Sequence, residues 1–293
     1  MLKKILLLVG IMTVITGCEK DIEFDLDEKE PKLVVEATIE NNEAPLVILT
    51  RSIGFFSNIT LPMLAQNFVN NAEVTISNGT LTHKLKEYTV PLAPGINFYY
   101  YSIDSANLST AFLGQVNQQY SLEIKAEGKE YTAVTTIPGI TKQIDSLWWK
   151  PVPGTANPDK AIVMVRATDP PGFGDYIRYY TKTNSQPFFT SERSVYDDLF
   201  IDGTTYELQI EPGFDRNAAD PEKQFFFRGD TVVFKISNID KATFDFWRTW
   251  EFSIQSIGNP FSTPTKVLGN INNGALGYFG GYASQYHSLI IPQ

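Results

Sequence analysis

The chain carries one cysteine, Cys18, and two histidines, His83 and His287, among 293 residues. A single thiol cannot close an intramolecular disulfide or build a cysteine-ligated zinc site. The two histidines leave little for metal or acid–base work, and nothing in the sequence brings an acid and a nucleophile to either of them. A GxSxG elbow, HExxH, a P-loop and a GxGxxG motif opening a helix are all missing, so the common catalytic signatures are absent. Basic residues are scarce too: 24 Lys and Arg stand against 33 Asp and Glu, for a formal net charge of −9. A surface of that sign repels phosphate backbones, which argues against nucleic acid as a partner. The expectation is a non-enzyme with no cofactor and no metal.

Long apolar runs are lacking except at the start. Lys3 and Lys4 precede an apolar stretch from Ile5 to Ile15, and small residues lead into Cys18. Residues 1–17 therefore read as an export signal. The stretch is too short for a helix across a hydrocarbon core of about 30 Å, which takes roughly 20 apolar residues. Ile15-Thr16-Gly17-Cys18 resembles the bacterial lipobox, which implies cleavage before Cys18 and diacylglycerol and palmitate on that residue. An ordinary secretory signal with an incidental cysteine is the alternative. Two or more acyl chains anchor stably, since each buried methylene contributes about 0.8 kcal/mol. The expected partner is thus a membrane that the chain sits on without crossing, and loss of Lys3 and Lys4 leaves the mature chain more acidic still.

Residues 18–30 are a dense acidic run that reads as a solvated tether. It serves either as a spacer or, by resemblance, as the signal with which Bacteroidota send lipoproteins to the outer face of the outer membrane.

From Pro31 the pattern becomes that of strands: residues 32–40 and 45–50 are β-branched and bounded by Asn41-Asn42 and Ser52-Ile53-Gly54. A hairpin is expected to turn at Asn78-Gly79 in type I′ geometry, and a second at Glu127-Gly128. Tyr120, opening a strand after Gly114, is placed like the tyrosine of Ig-like sandwiches. Pro138-Gly139 closes this part. Strands resume at 144–149, 161–168, 176–181, 206–210 and 231–236. Asp240 can cap a helix over about 241–256 with Phe246, Trp247, Trp250, Ile254 and Ile257 on one face. A last strand is expected near 288–291. The fold class is mainly β: an N-terminal Ig-like antiparallel β-sandwich over 31–138, then a second β-rich module over 139–293 with one helix in its C-terminal half.

Several residues are candidates for contact with a ligand or partner. Phe55, Phe56, Phe188 and Phe189 sit in loop-like contexts, and Trp148-Trp149 form either a core edge or a ligand platform. Asp197, Asp198 and Asp202 either flank a cation or a sugar or make a solvated loop.

Asn259-Pro260-Phe261, Asn270-Ile271 and Gly274-Ala275-Leu276-Gly277-Tyr278-Phe279-Gly280 carry a resemblance, together with Leu33-Val34-Val35-Glu36 and the Asp169-Pro170 turn. They resemble the Bacteroidota lipoprotein family catalogued as domain of unknown function 4249, over nearly the whole mature chain. That resemblance implies an outer-membrane lipoprotein, often encoded beside a TonB-dependent transporter, with no catalytic residues to carry over. Ser105, Ser146 and Thr231 sit in three-residue runs that resemble the O-glycosylation pattern of the same phylum. The expected function is a surface-exposed accessory lipoprotein that binds a nutrient ligand or caps a transporter barrel. An adhesion or envelope-scaffold protein binding proteins or glycans is the alternative, and a hydrolase of unfamiliar type the third.

Overall fold

The computed structural model describes residues 30–54, 59–217, 224–259, 261–263 and 265–293. Cys18, the signal peptide and all but the last residue of the acidic tether lie outside the described residues, as do Phe55 and Phe56. Pro31–Gln293 form one unit.

Alternation along β1 (Leu33–Glu40) sets the layout. Leu33, Val35, Ala37 and Ile39 are buried while Glu36, Thr38 and Glu40 take the other face, as a period of two dictates. This strand lies inside an eight-stranded sheet. Its order is β12 (Val195–Tyr196), β11 (Tyr176–Thr183), β15 (Thr231–Ile239), β16 (Leu276–Ile290), β1, β2 (Leu46–Arg51), β6 (Ile96–Ser102) and β5 (Lys86–Ala93). Every pairing in it is antiparallel except β1 with β16.

That parallel pair corrects the expected division at residue 138, because strands from both sides of it share one sheet. Hairpin signals reveal antiparallel neighbours only. A parallel neighbour needs a long crossover, and here the crossover is the rest of the chain.

Two smaller sheets cover one face of the large one. The first runs β4 (Thr82–Lys84), β3 (Glu73–Ser77), β7 (Gln118–Ala126) and β8 (Lys129–Ile137). Its Val74, Ile76, Leu122, Ile124 and Ile137 pack with Val35, Ile39, Leu49 and Phe279. The second holds β9 (Gln143–Pro151), β10 (Lys160–Thr168), β13 (Thr205–Ile210) and β14 (Phe226–Phe227). Here Val163, Val165, Ile210 and Phe226 meet Ile177, Val232, Phe234 and Ile236. Each such side chain contributes about 1.5–3 kcal/mol when fully buried. The fold is therefore mainly β and built as sandwiches, as expected.

Local details refine the expected turns. At Asn78-Gly79 only Gly79 has positive φ (86°), and the Asn78 side-chain oxygen accepts from the Thr80 and Leu81 amides at 3.0 and 2.8 Å. The asparagine thus acts as a side-chain turn former instead of as half of a type I′ pair. Glu127 and Gly128 both have positive φ (53° and 76°), so the I′ geometry appears there. Tyr120 accepts from the Gln115 amide at 2.7 Å, the expected tyrosine-corner bond.

The expected terminal strand at 288–291 is the end of the much longer β16. Gly277 near its start has φ 95°, and a Cβ there would overlap the Val35 carbonyl, so glycine allows the close approach of β1 and β16. Just upstream, Asn272 and Asn273 bond to Thr132 and Glu130, and Asn270 to the Val134 carbonyl, covering an edge of β8.

Two α-helices occur among the described residues: the short α1 (Leu61–Gln66) and α2 (Lys241–Gln255). Asp240 caps α2 through Thr243 N at 2.8 Å, while its other oxygen accepts from Thr135 and Thr136, both at 3.0 Å. One residue thus starts the helix and ties it to β8. Thr243, Phe244, Phe246 and Glu251 are buried, whereas Ile254 and Ile257 are exposed, contrary to the apolar face expected. Tyr278 and Tyr282 pack against this helix, so part of its inward face is polar. No helix among the described residues is long and apolar enough to cross a membrane.

Candidate functional site

The face of the large sheet turned away from the two cores carries charge and aromatic rings together. Strand alternation puts Arg178 and Tyr180 of β11, Lys235 of β15, Tyr278, Tyr282 and Tyr286 of β16, and Glu36 and Glu40 of β1 on it. Helix α2 covers one end. Phe246 stacks on Tyr278 with ring centroids 4.3 Å apart, and Trp247 Nε1 donates to the Tyr282 hydroxyl at 2.9 Å. The Arg178 guanidinium lies 3.3 Å from the Trp247 ring centre, a cation–π contact shielded from water.

Arg178 Nε donates to the Ser194 hydroxyl at 3.1 Å, and Ser194 donates to the Glu251 carboxylate through its hydroxyl at 2.5 Å and its amide at 3.1 Å. Burial pushes the Glu251 carboxyl above its usual range, opposed by the Ser194 hydrogen bonds and by the charges of Arg178 and Arg216. Burial likewise raises Tyr180 and Tyr278, which keeps both phenols protonated.

Beside this network opens a cleft of about 510 Å³ lined by Glu192, Phe214, Arg216, Trp250, Glu251, Ile254 and Gln255. Glu192 and Phe214 also line a hollow of about 250 Å³, with Gln209, Glu211, Gln224 and Phe225. Arg216 is held by the Thr190 hydroxyl at 3.1 Å and the Ser191 carbonyl at 2.8 Å, and lies 5.7 Å from the Trp250 ring. An aromatic wall with carboxylates, amides and a fixed guanidinium suits a small hydroxyl-rich molecule: rings take its apolar face and polar groups its edges. At the other end of the same face Lys235 pairs with Glu40 at 2.5 Å, ringed by Tyr180, Tyr286 and Phe188 at 5.2, 5.5 and 6.0 Å.

The candidates named from sequence are dispersed. Phe188 stands at this aromatic end and is exposed, while Phe189 is held by backbone bonds to Thr181. Trp148 and Trp149 lie on β9, where alternation sends them to opposite faces; Trp149 packs on the second core under Arg228, and Trp148 sits beside Lys150. They do not form one platform. Ser105 is exposed in the loop after β6, while Ser146 and Thr231 are paired within β9 and β15.

His83 is buried, with Nδ1 on the Thr110 hydroxyl at 2.9 Å and Nε2 accepting the Asp104 amide at 3.1 Å. Burial lowers its pKa, as it does for His287 on β16. Sequence reasoning missed Arg178, Arg216 and Glu251. The available signal was charge in apolar surroundings: Arg178 inside Tyr-Ile-Arg-Tyr-Tyr, and Glu251 beside Trp250 and Phe252 in an otherwise aromatic helix.

No curated protein matches the chain. A family model described as Domain of unknown function (DUF4249) matches residues 19–287, a span that takes in the large sheet up to the last residues of β16, both smaller sheets, α2 and the cleft. The chain therefore belongs to the DUF4249 family.

Proposed function

We propose that the protein is a lipid-anchored, surface-exposed outer-membrane binding protein, non-catalytic, that works with a TonB-dependent transporter in nutrient uptake. The observation that carries this reading is the basic and apolar leader ending in Ile15-Thr16-Gly17-Cys18, with the only cysteine of the chain at the lipidation position. In the sequence an acidic run of about a dozen residues follows the anchor, and a coil of that length reaches roughly 20 Å. The cleft between Trp250, Arg216 and Glu251 supplies a place for a small polar cargo, of which a sugar is the class best matched to aromatic and carboxylate walls.

A second reading draws on a different observation. Phe173, Leu199 and Phe200 are exposed by 73, 60 and 91% at the loops beside β11 and β12, a group of apolar tips suited to a protein partner. This supports an adhesion or envelope-scaffold role that binds proteins or glycans without transport. The test is a mild-detergent pull-down of the tagged lipoprotein from its native membrane, with Cys18→Ala as control. Stoichiometric recovery of an outer-membrane barrel supports the transporter role. Recovery of the lipoprotein alone sinks a stable complex and transfers the weight to adhesion.

A further inference from the structure

Three aspartates from two loops converge beside β11 and the edge strand β12. Asp169 and Asp175 bracket the loop from β10 to β11, and Asp198 follows β12. Each offers a carboxylate oxygen, and the three atoms lie within 4.8 Å of one another. Two oxygens that share one calcium ion at about 2.4 Å can be no more than about 4.8 Å apart, so the group fits inside a single coordination sphere.

Proximity of acids alone is not a site. The second observation is an orphaned buried oxygen. Asp169 is 1% exposed; its Oδ1 is ion-paired with the ammonium of Lys142, itself fully buried, while its Oδ2 has no hydrogen-bond partner among the described residues. A buried carboxylate oxygen with no donor signals a missing cation or water.

The other two carboxylates are already oriented. Asp198 Oδ2 accepts the Gly174 and Asp175 amides at 2.8 and 3.0 Å. Asp175 Oδ1 accepts the Thr141 hydroxyl at 2.8 Å, and that hydroxyl accepts from Asn238 Nδ2 at 2.7 Å. Each of the three aspartates thus has one oxygen engaged by the protein, and Asp169 adds a buried oxygen without a partner among the described residues. Among the described residues Lys142 is the one basic side chain paired with the group, so three carboxylates against one ammonium leave two negative charges, the complement of a divalent ion.

We propose that Asp169, Asp175 and Asp198 bind one calcium ion, with Lys142 as the built-in counter-charge. The donor set is oxygen only, which selects a hard cation. An all-protein carboxylate site suits calcium, which accepts several such ligands, better than magnesium, which keeps most of its water. Bound there, the ion ties the 169–175 loop to the 197–203 loop, adding to the bonds that the Gly172, Gly174 and Asp175 amides donate to Asp202 and Asp198. The inference does not depend on the transport reading.

The test is calorimetric titration of CaCl2 into the full mature chain in detergent after chelation, with thermal unfolding followed in parallel. The expected result is one calcium per chain and a higher unfolding temperature. Asp175→Asn, a change at a partly exposed ligand, should weaken binding at least about tenfold, in line with loss of one of three charged ligands. Absence of heat and of a thermal shift in the wild type overturns the site, and so does an Asp175→Asn variant that binds as the wild type does. An equal shift with MgCl2 overturns the assignment to calcium. Should Asp175→Asn fail to fold, Asp198→Asn is read in the same titration, and the wild-type result decides without either variant.

Discussion

Around Arg178, Ser194 and Glu251 every buried charge meets a hydrogen bond or an aromatic face, whereas around Asp169, Asp175 and Asp198 negative charge exceeds positive and one buried oxygen has no partner. The two groups flank the same short strand: Ser194 precedes β12 and Asp198 follows it. Similar polar burial therefore reaches two different ends. The arginine group is closed, satisfied by the chain itself, and serves to fix the helix and the cleft wall. The aspartate group is satisfied only when something is added, which is the mark of a ligand site.

Changes that unbalance the two groups should separate them most clearly. Asp169→Ala should have the largest effect, because it strands the Lys142 ammonium in a dry site; a loss of about 3–5 kcal/mol is expected in urea unfolding, and calcium should not restore it. Its mirror is Lys142→Met, which leaves three carboxylates facing one another. That variant should be destabilised in chelator and recover much of the loss in calcium, whereas no recovery would place the aspartates with the closed group.

On the closed side, Trp247→Ala removes the ring under Arg178 and the donor to Tyr282. It should cost about 3 kcal/mol, equally with and without calcium, as read from urea midpoints. A calcium-dependent difference would mean that the two groups are coupled.

Glu251→Gln should be milder at neutral pH, about 1 kcal/mol, since the amide keeps a carbonyl acceptor for Ser194. Its signature is in the pH dependence. Burial raises the folded pKa of Glu251, so its contribution is fully present below the unfolded value near 4.3 and is lost as pH rises through the folded value. Unfolding midpoints between pH 4 and 8 should be flatter for Glu251→Gln than for the wild type.

His83 gives the smallest effect and the opposite sign. Its folded pKa is lowered by burial, so its contribution is present above the unfolded value near 6.5 and is lost as pH falls through the folded one. His83→Gln should remove that acid-side decline, and an unchanged profile would assign the decline to other groups.

What could be read from the sequence follows the range over which each signal acts. Alternation in Leu33–Glu40, the cap at Asp240, the Glu127-Gly128 hairpin and the Tyr120 corner are local patterns, and each is found in the fold. The Asn270 to Gly280 stretch was legible as a motif but not as a role. Its asparagines cover an edge of β8 and Gly277 lets β16 run against β1, whose paired residues, such as Glu36 and Tyr278, stand 242 positions apart in the chain (278 − 36).

The sites were less legible for the same reason. Asp198 was singled out with its sequence neighbours Asp197 and Asp202, yet it meets Asp169 and Asp175 across two loops. Glu251 lay hidden in an aromatic helix face, since its partner Ser194 is supplied by a different element. Spacing along the chain reports hairpins and helix faces, but not which loops arrive at one place.

The most direct measurement is a long-wavelength anomalous difference map from crystals of the protein grown in calcium. The account predicts one peak coordinated by Asp169 Oδ2, Asp175 and Asp198 at about 2.3–2.6 Å, and none at the Glu251 carboxylate. A water or the Lys142 ammonium filling the position between the three aspartates, with no anomalous signal, would contradict it.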